Sequence, residues 1–113
     1  MYSFPVEADE HILKKSLANL ECDGEAFSGA LYLTTGRLVF VGFLLDITHK
    51  YMEDVPLAHI SEMTRGKSLF IIPNVLNVCT ITDKNLKFVV SGSGEWLAEI
   101  NKQKQVQDAS ASM

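Results

Sequence analysis

The chain has 113 residues, 47% of them apolar, and a formal net charge of −4. That length suits one domain with its own core and is too short for two. The acidic balance excludes nucleic acid as an expected partner, because nonspecific binding there rests on clustered lysine and arginine neutralising phosphates.

No apolar run approaches the roughly 20 residues that span a bilayer. The segment from Met1 to Glu7 lacks the basic start and long apolar stretch of a secretion signal. Cys22 and Cys79 have no metal or redox spacing, and Cys79 falls in a strand pattern that would bury it. A cytoplasmic location is expected, free or at a membrane periphery.

Residues 1–9 read as an extended arm in which Tyr2, Phe4 and Val6 alternate. Leu13, Leu17 and Leu20 would suit one face of a helix. The turn residues Cys22-Asp23-Gly24-Glu25 just after them favour a strand near Lys14–Glu21 instead. The stretch from Gly29 to Phe43 reads as two strands joined at Thr35-Gly36. A two-residue loop there sets Leu33 opposite Leu38, Leu31 opposite Phe40 and Gly29 opposite Gly42, and places all four large apolar residues on one face. A type I′ turn would demand positive φ of Thr35, which a β-branched residue resists, so a left-handed Gly36 in a three-residue loop is the alternative. The second face, Ala30, Tyr32, Val39 and Val41, is also apolar and needs cover from the arm, the helix or a second molecule.

Asp46–Lys50 reads as a loop and Tyr51–Val55 as a short strand that Pro56 ends. Pro56–His59 suits a single helical turn. Ile60–Arg65 reads as a strand broken by Gly66, and Leu69–Ile72 as a small strand or a packed loop. Leu76–Thr82 alternates, Asp83–Asn85 is a turn, and Leu86, Phe88 and Val90 line one face of a last strand. Ser93 is a good N-cap for a helix over Gly94–Lys104, whose Trp96, Leu97 and Ile100 form an apolar stripe. Residues 105–113 read as a polar, disordered tail. The fold class is therefore mainly β with one C-terminal helix: about seven antiparallel strands in an open or barrel-like sheet, plugged by the helix, in a single domain over residues 1–104.

The stretches "GALYLTTGRLVFVGF", "VPLAHI" and "LKFVVSGSGEWLAEI" together resemble the GRAM domain, a member of the pleckstrin-homology-like superfold. The matching positions are Gly29, Leu31, Leu33, Thr34, Arg37, Leu38 and Phe40 in the hairpin, then Pro56, Leu57 and Ile60, and finally Phe88 and Trp96. The likeness spans about residues 7–104. It implies a strongly bent, nearly barrel-shaped sheet capped by the helix. It also implies a role in binding phosphoinositide-containing membranes or protein partners, without catalysis.

Pleckstrin-like lipid binders hold phosphates at the barrel's open end, on the first, third and sixth inter-strand loops. Here those loops are Glu21–Glu25, Asp46–Lys50 and Asp83–Asn85. Glu21, Asp23, Glu25, Asp46 and Asp83 outweigh Lys50 and Lys84 there, which repels inositol phosphates. The basic pattern of the lipid binders is missing, since Ser28, Gly29 and Ala30 occupy the second strand. Lys14 and Lys15 point to opposite faces of a strand, so one of them reaches solvent. Arg65 and Lys67 flank Gly66 in what reads as a solvated turn, and Arg37 is expected to bond locally near Thr34. Phe43, Leu44 and Leu45 run apolar into a loop at the open end, which suits either a strand end entering the core or a tip that meets a partner.

His11, His49 and His59 lack metal-ligand spacing, Ser91-Gly92-Ser93-Gly94 lacks the lysine of a phosphate loop, and Glu53-Asp54 reads as a solvated strand edge. The expectation is a non-enzymatic binding module with no cofactor and no metal, engaging a protein partner or a second copy of itself as a homo-oligomer. Membrane lipid, a phosphoinositide or another anionic lipid, is the alternative partner. The candidate binding residues are Phe43, Leu44, Leu45, Lys14, Lys15, Lys50 and Lys84.

Overall fold

The computed structural model describes residues 4–22, 24–44, 50–68 and 72–111. Seven strands follow one another: β1 (Ile12–Cys22), β2 (Glu25–Thr34), β3 (Arg37–Leu44), β4 (Lys50–Pro56), β5 (Ile60–Ser68), β6 (Ile72–Thr80) and β7 (Asn85–Val90). A single helical turn, Leu57–His59, joins β4 to β5, and one helix, α1 (Ser93–Ala111), closes the chain. The sheet order is β4-β3-β2-β1-β7-β6-β5, each neighbour antiparallel, and the sheet curls into a half-barrel. Consecutive strands β4 and β5 therefore stand at opposite edges. The fold class expected from the sequence is the one observed.

The hairpin register fixes which residues fill the barrel. Leu33 faces Leu38, Leu31 faces Phe40 and Gly29 faces Gly42, the pairing that the apolar pattern predicts. Leu31, Leu33, Leu38 and Phe40 lie in the core with Leu20, Leu76, Leu86 and Phe88. Trp96 and Ile100 of α1 enter the same cluster with no exposed surface, so the helix plugs the sheet through its apolar stripe. β1 is a strand throughout: Ala18, Leu20 and Cys22 turn inward, while Leu13 and Leu17, which would have made a helix face, stand exposed.

The β2–β3 turn differs from both forms foreseen. Neither Thr35 nor Gly36 has positive φ. The Thr34 side chain closes the turn instead, its Oγ1 accepting from the N–H of Gly36 at 3.1 Å and of Arg37 at 3.0 Å. A threonine hydroxyl takes over the donors that a primed turn would satisfy through its backbone.

Three boundaries move. Gly66 does not break β5, which continues to Ser68 with an irregularity in pairing between Gly66 and Ser68. β6 begins at Ile72 and ends at Thr80. The helix runs on to Ala111, so residues 105–111, read as a disordered tail, are helical. Glutamine, lysine and alanine are adequate helix formers, and two side chains hold this part down. Gln103 and Gln107 both donate from Nε2 to the Thr35 carbonyl, at 3.0 and 3.1 Å.

The second apolar face of the hairpin is covered as well. Val39 and Val41 are fully buried, and Ala30 nearly so. The N-terminal arm reaches this face, where Phe4 meets the Tyr32 ring edge-on at 5.0 Å.

Gly29 and Gly42 face each other across β2 and β3. A Cβ on Gly29 would lie 2.0 Å from the Val41 carbonyl oxygen, a backbone atom that cannot step aside. Gly29→Ala is expected to lower stability by about 2–3 kcal/mol, read as a lower denaturant midpoint at unchanged slope.

Candidate functional site

The two ends of the half-barrel are built differently. At the end holding the β2–β3 turn, the Arg37 guanidinium gathers the arm and β4. Its Nε and Nη2 donate to the two carboxylate oxygens of Glu10, at 2.7 and 2.9 Å. Nη1 donates to Asp54 at 2.7 Å, and Nη2 also reaches the Pro5 carbonyl at 2.6 Å. Thr34 Oγ1 donates to Glu10 at 2.5 Å, and Phe4 lies under the guanidinium, 5.1 Å from ring centre to Cζ. The Glu10 side chain is 6% exposed and that of Arg37 12%. Arg37, expected to bond only near Thr34, thus spans 27 residues to Glu10, because a cation this buried needs a full set of acceptors. The Arg37 hydrogen bonds hold the Glu10 carboxyl at about 2, well below its ordinary 4.5, and Glu10 in turn raises the Arg37 guanidinium.

At the opposite end lie the β1–β2, β3–β4 and β6–β7 connections. Tyr51 stacks on Phe27 with ring centres 4.1 Å apart and donates to Glu53 at 3.1 Å. Burial, with the Glu53 carboxylate beside it, pushes the Tyr51 hydroxyl up to about 12. Lys84, on the β6–β7 turn, reaches the other Glu53 oxygen at 2.5 Å, a contact that raises its ammonium further. Glu53 and Asp54, read from sequence as a solvated edge, therefore each hold a cation, Glu53 that of Lys84 and Asp54 that of Arg37.

Beside this open end a groove of about 510 Å³ is lined by Glu21, Gly24 and Glu25 on the β1–β2 side and by Glu62 and Thr64 of β5 opposite. Asn77, Cys79 and Asn85 lie between these walls. Among the described residues its one lysine is Lys87, tied to Glu21 at 3.3 Å. Glu25 and Glu62 have no ion pair among the described residues, so the groove carries net negative charge.

Of the residues singled out from sequence, the three whose side chains are described do not converge. Lys14 turns inward, its ammonium 5.4 Å from the Trp96 ring centre and 3.8 Å from Glu95. Lys15 points out on the opposite face, across from Tyr32. Lys84 is taken by Glu53. Leu45 lies outside the described residues. Phe43 and Leu44 end β3 and Lys50 opens β4, and their side chains lie outside the description too. Sequence reasoning missed Glu10 and Glu62. A lone arginine inside an apolar hairpin signals that an acid is needed, but nothing local says which one.

The GRAM domain family model matches residues 1–107. The chain belongs to the GRAM family. GRAM and pleckstrin-homology-like domains are generally non-catalytic modules that bind proteins or lipids. The crystal structure of the C-terminal domain of an unknown protein from Leishmania infantum resembles this GRAM chain with a TM-score of 0.72 and 15% identity, over 87% of each chain. The Vps36 N-terminal PH domain matches with a TM-score of 0.63 and 10% identity, covering 96% of this chain and 87% of that one. At such identities the likeness is one of fold. No curated protein sequence matches the chain. No helix among the described residues is long and apolar enough to cross a membrane.

The Arg37 clasp makes stability depend on pH. Glu10 is held below its ordinary value, so its contribution is complete above about pH 4.5 and is lost as pH falls toward 2. The gap in unfolding free energy between the native chain and Glu10→Gln is expected to be roughly 2–3 kcal/mol at pH 7 and to close between pH 4.5 and 2. Denaturant titrations of both proteins at several pH values measure it.

Proposed function

We propose that this GRAM domain is a protein-interaction module rather than a phosphoinositide receptor. The observation that carries this reading is the state of the lysines near the open end. Lys84 is neutralised by Glu53, and Lys87 by Glu21. Among the described residues, a phosphate arriving there would have to break a charge-assisted pair before meeting either lysine, with Glu25 and Asp83 standing by. Protein surfaces need no such cation, and the acidic groove offers a shaped contact area instead. Cys79, a free thiol, fits work in a reducing compartment.

A second reading rests on the outer face of β1. Leu17 is 74% exposed and Leu13 48%, with Lys15 between them. That set could touch a lipid surface from outside the barrel.

Sedimentation with vesicles separates the two. The chain is expected to stay in the supernatant with phosphatidylcholine vesicles and equally with vesicles containing phosphoinositides at physiological salt. Pelleting that depends on anionic lipid, and that Lys15→Glu abolishes, would replace the protein reading with the lipid one.

A further inference from the structure

We infer that β5 and the acidic groove beside it form a docking site for an extended, basic segment of a partner protein. The inference rests on the protein-interaction reading and specifies its ligand. Two independent features meet there.

The first is a free sheet edge. β5 pairs with β6 on one side only. Among the described residues no backbone–backbone hydrogen bond uses its other side, and there Lys104 Nζ takes the Ile60 carbonyl at 2.9 Å. Irregular pairing occurs between Ile60 and Glu62 and again between Gly66 and Ser68. Between them Glu62–Gly66 keeps unbroken register with Cys79–Val75. Such a stretch presents alternate N–H and C=O groups at strand spacing, which an incoming strand satisfies.

The second feature is charge. Glu62 and Thr64 belong to that regular stretch and also form one wall of the groove, with Glu21 and Glu25 on the facing wall. Among the described residues Glu62 and Glu25 have no ion pair, while the groove's Lys87 is already paired with Glu21. A strand laid along Glu62–Gly66 turns alternate side chains over the outer face of the sheet. Lysine or arginine at those positions meets Glu62 first and the field of Glu25 beyond it. A second copy of this chain is a poor occupant, since it would bring two acidic grooves to one seam.

A displayed library of random nine-residue peptides, selected on the full chain, tests the site. The enriched peptides are expected to carry two or more lysines or arginines and no central proline. A synthetic peptide of the enriched sequence should shift the amide resonances of Glu62–Gly66. Glu62→Lys should weaken it tenfold or more, and Glu62→Gln and Glu25→Lys by less. N-methylation at alternate residues of the peptide should abolish binding. Glu62 is exposed on an edge strand, so the variants should melt as the native chain does. Enrichment without basic residues, or resonance shifts on β1 and β4 instead, overturns the site and leaves the protein-interaction reading standing. No enrichment at all, together with pelleting on phosphoinositide vesicles, overturns both.

Discussion

The fold depends on the partnership of one cation with three distant groups. The Arg37 guanidinium lies almost wholly out of solvent, so each of its donors must find an acceptor or the charge becomes a large penalty. Glu10, Asp54 and the Pro5 carbonyl supply them. Meeting that demand fixes the arm against β3, aligns β4 beside it and brings Phe4 over Tyr32. Thr34 joins the same set through Glu10 and at the same time closes the hairpin turn. Barrel closure at this end is polar and specific, whereas the interior is filled by aliphatic and aromatic packing that specifies volume more than direction.

The strands were legible in the sequence because their alternation is regular and each face has a single fate. The hairpin is the clearest instance: its register follows from matching apolar sets, and that matching is a local property. The boundaries that failed are those decided at long range. Residues 105–111 have no apolar stripe to announce a helix. They are helical because the Thr35 carbonyl, 68 and 72 positions away from Gln103 and Gln107, waits for their amides. Gly66 looked like a breaker, yet β6 supplies pairing on both sides of it.

The candidate site was less legible for a different reason. The sequence pointed to an acidic open end, but it counted Lys84 as an available charge and passed over Lys87. Only the fold shows that each is already engaged, and only the fold sets Glu62 across from Glu25. The lysines attracted notice as single residues, whereas the groove is a property of strands far apart in the chain. Charge neutralisation between neighbours, rather than charge content, decides how accessible these two lysines are to a phosphate.

The paired glutamines of α1 give that helix an unequal attachment. A carbonyl oxygen has two lone pairs, and Gln103 and Gln107, one helical turn apart, each occupy a place on the same one. Neither alone decides whether the helix stays docked, because either can serve when the other is lost. Trp96 and Ile100 have no such substitute. The helix therefore has an indispensable root in the core and a redundant tether at its far end. Its last turns can fray one at a time while the barrel stays plugged.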